Sequence, residues 1–345
     1  MQALKVNENE AGQRLDKLLA KYMNQAPQSF FYKMMRKKNI TLNKKRCTGA
    51  ERLAVGDEIQ LFLSDETIEK FSGKPSLPLP PGSPRSGSRS EPGFARGNGR
   101  PRGLSIIYED EHILLINKPA GMLSQKAKDS DYSLVEAVIN YLVDSRHISL
   151  EQLRTFRPGV CNRLDRNTSG LVAAGKSLAG LQIMSAAFKD RSLHKYYQCV
   201  VAGKVKERQV ITGFLIKDEA ANKVTISAAE LPGSSPIMTE YVPAAGNEDY
   251  TLLTVTLITG RTHQIRAHLA SIGHPIVGDS KYGDPKVNEA ARKKYSIRSQ
   301  MLHSWKLVMP KLPEPMENLS GKVFTAPLPQ TFERLSEGEH FRPFA

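Results

Sequence analysis

The sequence predicts an α+β protein of two unequal modules, and three observations carry that prediction. Residues 74–103 hold 18 Pro, Gly or Ser among 30 positions, interrupted by Arg85, Arg89, Arg96, Arg100 and Arg102, a composition that cannot bury a core. Before this stretch come two helical patterns and then strand patterns. After it, apolar runs of strand length alternate with helical ones. The expected division is a small module over 1–64, a flexible basic linker over 65–103 and a large module over 104–345.

In the first module, Leu15, Leu18 and Leu19 fall at helical spacing in a pattern that begins near Ala11. A second helix is expected over 29–38, with Ser29 as its N-cap and Phe30, Met34 and Met35 as its apolar stripe. Residues 40–43 then alternate as a strand, and a turn at Gly56 leads to another strand ending at Leu63. Residues 21–52 contain nine Lys or Arg and one acid, Glu51, a density suited to tracking phosphates.

The large module opens with two apolar runs around the acidic turn Glu109-Asp110-Glu111, a β-hairpin pattern. Pro119 and Gly121 stop its second strand and leave Lys118 at the mouth of a loop. A helix is expected over 132–143, a buried strand over 171–175, a helix over 179–188 and a strand over 195–201. Residues 250–258 form a β-prone run that leads into a helix with Ile265, Leu269 and Ile272 on one face. Thr262 is a candidate cap and Gly273 a candidate stop. The start of that helix brings backbone N–H groups and arginines together, a seat for an anion.

Between these elements lies the most informative loop, Cys161-Asn162-Arg163-Leu164-Asp165-Arg166-Asn167-Thr168-Ser169-Gly170. It holds one carboxylate between two arginines. A guanidinium within about 4–6 Å favours the charged form of a carboxylate, which suits a nucleophile or a base.

The whole chain has 49 Lys+Arg against 35 Asp+Glu, a formal charge of +14 that implies a polyanionic partner, nucleic acid first. The N-terminus lacks the apolar run of a signal peptide, and no stretch approaches the roughly 18 apolar residues of a membrane span, so a cytoplasmic protein is expected. Cys47, Cys161 and Cys199 form no Cys-x-x-Cys pair and suggest neither a disulfide framework nor a thiolate zinc site. His263 and His268 are five residues apart, about 140° around a helix, and cannot share a metal as His-Glu-x-x-His ligands do. No phosphate-binding glycine loop stands between strand and helix, no Gly-x-Ser-x-Gly elbow has matching partners, and no motif supplies the second carboxylate of a glycosidase.

Four segments occur in the order of the RluA-type pseudouridine synthases. They are Ile116-Asn117-Lys118-Pro119-Ala120-Gly121-Met122, the Asp165 loop, Lys195-Tyr196-Tyr197, and Gly260-Arg261-Thr262-His263-Gln264-Ile265-Arg266-Ala267-His268. The large module resembles that family from about Ile107 to Phe332. The resemblance implies an isomerase built on a mixed, largely antiparallel sheet, converting selected uridines of RNA to pseudouridine without cofactor or metal. It places the catalytic aspartate at Asp165, the active-site tyrosine at Tyr197 and the basic partner of the aspartate at Arg266. Arg163 matches the arginine that fills the space of a flipped-out nucleotide, and Lys118, Arg261, His263 and Gln264 are assigned with it to substrate binding. Two positions depart from the family pattern: Asn162 stands where histidine is usual, and Asn167 where an acid often sits. The amide of Asn162 can donate and accept hydrogen bonds, so altered loop support is expected rather than loss of the nucleophile.

The first module resembles the S4-like RNA-binding domain in Arg14-Leu15-Asp16-Lys17, in residues 40–45 and in Val55-Gly56-Asp57. Together the two resemblances imply the branch that modifies large-subunit ribosomal RNA; a monomer is the default expectation. The alternatives are a non-catalytic ribosome-assembly factor with the same RNA grip, and a base glycosylase that releases free uracil.

Overall fold

The computed structural model describes residues 2–73, 77, 104–218 and 223–344. The first unit contains β1 (Gln2–Lys5), α1 (Leu15–Tyr22), α2 (Gln28–Arg36), β2 (Ile40–Leu42), β3 (Lys45–Arg46), β4 (Glu58–Leu61) and α3 (Asp65–Phe71). Its strands pair in the order β1-β4-β2-β3, all antiparallel. Leu15, Leu18, Leu19 and Tyr22 recur at i, i+3, i+4 and i+7, so α1 buries one face against Phe31, Met35, Ile40, Ile59 and Leu61.

Three local expectations need correction. Helix α2 is capped by Pro27, not Ser29, and its fully buried residues are Phe31 and Met35, with Phe30 and Met34 packed beside them. The helix expected from Ala11 begins at Leu15. Residues 65–71 are not linker but α3: Ser64 accepts a hydrogen bond from the Thr67 N–H, Asp65 and Glu66 occupy the first turn, and Ile68 is buried in the unit's core. Phe71 packs against Phe30 in a tilted contact with ring centroids 4.8 Å apart. The remainder of the expected linker, 74–103, lies outside the described residues apart from Leu77.

The second unit runs through β5 (Ile106–Glu109), β6 (Ile113–Lys118), α4 (Leu134–Asp144), β7 (Gly159–Val160), β8 (Ser169–Gly175), α5 (Leu178–Lys189), β9 (His194–Ala202), β10 (Gln209–Asp218), β11 (Lys223–Ser227), β12 (Ser235–Gly246) and β13 (Tyr250–Leu257). It continues with α6 (Gln264–Ser271), α7 (Pro285–Tyr295), β14 (Leu302–Val308), β15 (Val323–Thr325), α8 (Gln330–Gly338) and β16 (Arg342–Pro343). The main sheet order is β11-β10-β12-β13-β9-β14-β8-β6-β5, with β7, β15 and β16 on side branches. Only β14 and β8 run parallel among the described strands, so the sheet is mixed and largely antiparallel, as expected.

Strands β6 and β8 are buried on both faces. Leu114, Ile116, Val172 and Ala174 belong to one core with α4 and α6, while Ile113, Leu115, Leu171 and Ala173 belong to the other with α5. Double burial explains why β8 reads as a continuous apolar run. At its start, Gly170 has φ +110°, and a Cβ there would sit 2.2 Å from the Ser304 carbonyl oxygen. Glycine is thus required where β8 meets β14, directly after the Asp165 loop.

The two units touch. Asn9 accepts a hydrogen bond from the Leu178 N–H at the start of α5 (3.1 Å), Thr155 donates to Glu10 (2.7 Å), and the Arg154 guanidinium lies 3.9 Å from the Tyr22 ring centroid.

Candidate active site

The Asp165 loop joins β7 to β8 and is held from below by buried polar contacts. The Asn162 amide accepts from the Ala173 N–H (2.8 Å) and donates to the Leu171 carbonyl (3.3 Å), tying the loop to β8. Ser124 both donates to the Leu164 carbonyl (2.9 Å) and accepts from its N–H (3.0 Å). The Asp165 carbonyl accepts from the Thr168 N–H (3.1 Å), and the Thr168 hydroxyl accepts from Gln300 (3.2 Å). Below them, the Ser169 hydroxyl lies 2.8 Å from His303 Nδ1.

Lys118 acts inside this support. It is fully buried, and its ammonium donates to the carbonyls of Pro119 (3.0 Å), Met122 (2.9 Å) and Arg166 (3.1 Å). Its three donors are thereby occupied. Burial lowers its pKa to about 8, with the nearby Asp165 charge pulling the other way. The structure places Lys118 beneath the loop, not at the cleft surface that a substrate-binding residue would occupy.

The cation that reaches Asp165 comes from the opposite wall. Arg266 of α6 donates from Nη1 to Asp165 Oδ2 at 2.8 Å, whereas Arg163 and Arg166 are exposed and make no ion pair with it within 4 Å. Arg266 is itself gripped by Asp279, which accepts from Nε (2.6 Å) and Nη2 (2.8 Å) in a bidentate fork. Asp279 is fully buried and also accepts from the N–H groups of Lys281 and Tyr282. Burial pushes its carboxyl up, but the hydrogen bonds and charge of Arg266 more than offset this and leave it below the ordinary carboxylate range. For Arg266, burial works against the charged form, and Asp279 followed by Asp165 raises the guanidinium pKa regardless.

Asp279 and Tyr282 are the residues that sequence reasoning missed. The available signal was a buried-looking run ending in an acid, Pro275-Ile276-Val277-Gly278-Asp279, 13 residues after an arginine expected inside a helix. A buried guanidinium needs a carboxylate partner.

Helix α6 starts differently from the expectation. Thr262 is not its cap: His263 occupies that position with φ 56°, in the left-handed region. Gln264 is buried, and its side chain accepts from Thr259 Oγ1 (2.9 Å) and the Arg261 N–H (3.0 Å) while donating to the Met238 carbonyl and Thr239 Oγ1 (both 3.0 Å). Its amide is taken up by the turn and supports the site from behind. His263 Nε2 lies 3.9 Å from Asp165 Oδ2, and burial lowers the imidazole pKa against the opposing Asp165 charge. Arg261 is exposed at the rim.

Tyr197 of β9 forms a buried wall of the same cleft. Burial raises its phenol pKa to about 12, so the hydroxyl stays protonated at neutral pH. The cleft has a volume of about 830 Å³, large enough for a nucleotide, and is lined by Arg163, Arg166, Lys195, Arg261 and Lys281 around the single acid Asp165. Cys161 lines the cleft too, but burial raises its thiol pKa to about 12, that of Cys47 to about 11, and that of Cys199 as well, so all three thiols stay protonated at neutral pH.

The mixed sheet thus carries a lone carboxylate loop that faces a buried arginine in a cationic cleft. Residues 112–271 match the family model described as RNA pseudouridylate synthase. The ribosomal large subunit pseudouridine synthase C of Vibrio vulnificus is 28% identical over 338 residues, covering 97% of this chain and 95% of that one. That of Vibrio parahaemolyticus is 30% identical over 287 residues (82% and 81%), and an uncharacterized RNA pseudouridine synthase of Mycoplasma genitalium is 30% identical over 314 residues (89% and 88%). In three dimensions, the human RNA pseudouridylate synthase domain containing 4 superposes with a TM-score of 0.56 at 18% identity, covering 69% of this chain and 94% of its own. The chain belongs to the RluA-type RNA pseudouridine synthase family, and it is an isomerase that acts on RNA.

Proposed function

We propose that this enzyme converts selected uridines of large-subunit ribosomal RNA to pseudouridine, with Asp165 as the catalytic nucleophile. The observation that carries the assignment is the chain of contacts Asp165–Arg266–Asp279 in a cleft whose other charged lining groups are cationic. Isomerisation breaks the N1–C1′ bond, turns the uracil, forms the C5–C1′ bond, and exchanges a hydrogen at C5 for one at N1. An ionised carboxylate can add to the sugar or the base, or take a proton. Arg266 holds that carboxylate in place, and Tyr197 packs under the uracil with a protonated hydroxyl for proton transfer. Arg163, exposed at the cleft, fills the stack when the target nucleotide flips out, a step costing a few kcal/mol. Arg261 at the rim and His263 inside the cleft meet the nucleotide.

Residues 2–73 are an S4-like module that grips structured RNA through exposed Lys44, Lys45 and Arg46. The enzyme works in the cytoplasm, as a monomer, without cofactor or metal. The names of the Vibrio relatives support the ribosomal substrate. Mapping pseudouridines in ribosomal RNA tests the reading. A strain lacking the gene and carrying Asp165→Ala is expected to lose the sites that the wild-type gene restores; restoration by the variant would overturn Asp165 as the nucleophile.

A further inference from the structure

Tyr282 lies outside every segment that carries the family resemblance, yet it touches both partners of Asp165. Its hydroxyl lies 3.0 Å from His263 Nδ1, its ring meets the His263 ring edge-on with centroids 5.7 Å apart, and the Arg266 guanidinium stands 5.2 Å from its ring centroid. The same hydroxyl oxygen accepts the Val224 N–H of β11 at 2.8 Å. A phenol has a single proton to give, and among the described residues His263 Nδ1 is the other polar atom within hydrogen-bonding distance of that oxygen. The arrangement that gives this proton a partner directs it at Nδ1, with Nδ1 accepting as the bare nitrogen. Nε2 then carries the imidazole hydrogen, and Nε2 is the atom facing Asp165 Oδ2 at 3.9 Å.

The backbone supports the same arrangement. His263 sits in the left-handed region at the start of α6, a conformation uncommon for residues other than glycine, though asparagine, aspartate and histidine adopt it more often than most. That geometry turns the ring out of the helix and into the cleft between Tyr282 and Asp165.

We propose that Tyr282 is a positioning residue that fixes His263 as its Nε2–H tautomer, so that the site presents one fixed hydrogen-bond donor beside the Asp165 carboxylate, aimed at an oxygen of the bound nucleotide. The inference rests on Asp165 being the reacting group. The separation of 3.9 Å is too long for a direct hydrogen bond and leaves the N–H available to substrate. A donor fixed before binding needs no reorganisation during reaction.

The test is a double-mutant cycle on the full chain with a uridine-containing ribosomal RNA fragment. Tyr282→Phe removes the tautomer lock and keeps the ring. It is expected to lower kcat roughly fivefold to tenfold, the effect of one misdirected hydrogen bond, with KM for RNA unchanged. In a His263→Gln background, whose amide N–H has no tautomer, Tyr282→Phe is expected to change kcat less than twofold. An equal loss in both backgrounds would assign Tyr282 to packing alone and overturn the proposal, as would no loss in the wild-type background. Nitrogen NMR of the His263 ring supplies a direct reading: a bare Nδ1 and a protonated Nε2 are expected, and the reverse pattern overturns the proposal. Asp165→Asn run in parallel separates the two levels, since an active Asp165→Asn enzyme would refute the nucleophile while leaving the NMR result to judge the lock.

Discussion

In the N-terminal unit Lys37, Lys38, Lys44, Lys45 and Arg46 all lie exposed, whereas in the C-terminal unit Lys118, Arg266, Asp279 and His303 are all buried around one loop. Exposed charges keep their hydration, attract a polyanion at long range and tolerate replacement one at a time. Buried charges have no water to fall back on, so each must be paired, hydrogen-bonded or neutral. Under the proposed function, the contrast separates a unit that would hold RNA from a unit that would carry the chemistry.

The largest expected effect on folding is at Asp279. Asp279→Ala leaves the Arg266 guanidinium buried with only Asp165 beside it, and breaking a buried pair from one side costs about 3–5 kcal/mol. Urea unfolding should show that loss, while Glu289→Ala, which opens an exposed pair with Arg292, should stay within about 1 kcal/mol. Similar losses for the two variants, both in the C-terminal unit, would erase the distinction between buried and exposed charges.

His303 gives the next effect, through pH. Burial lowers its pKa to about 4 from an ordinary 6.5, so the folded chain keeps this imidazole neutral where the unfolded chain protonates it. The unfolded state then binds more protons between those values. Stability is complete above about pH 6.5 and is lost as pH falls toward 4, by on the order of 3 kcal/mol. Chemical denaturation at stepped pH should find that slope reduced in His303→Gln; an unchanged slope would place the acid sensitivity elsewhere.

The smallest effect on folding, and the clearest on binding, belongs to the N-terminal charges. Replacing Lys44, Lys45 and Arg46 together by alanine should move stability by less than about 0.5 kcal/mol per site. The slope of log affinity for RNA against log salt should shrink by about 2. An unchanged salt slope would remove this face from the RNA path.

The sequence made some of this visible for definite reasons. Helices α1 and α4 and strands β6, β8, β9 and β13 follow local periodicity, and the Asp165 loop is a contiguous run whose chemistry is written in neighbouring residues. What it concealed is contact between distant segments. Arg266 and Asp165 are 101 residues apart, so the local arginines Arg163 and Arg166 looked the nearer partners. Lys118 looked like a loop-mouth cation because nothing in the chain announces the three carbonyls that enclose it. Gln264 reads as polar and exposed until the fold brings Met238 and Thr239 against it. Helix α3 was legible in Ser64-Asp65-Glu66, a cap followed by two acids, but the composition immediately after it masked that signal.

The most direct measurement follows hydrogen at C5 of uracil. Large-subunit ribosomal RNA carrying tritium at that position, incubated with the purified full chain, should release tritium to water as the C5–C1′ bond forms. Asp165→Asn, which keeps the shape of the side chain and removes its charge, should bind the same RNA and release none. Release by Asp165→Asn at the wild-type rate would contradict the account.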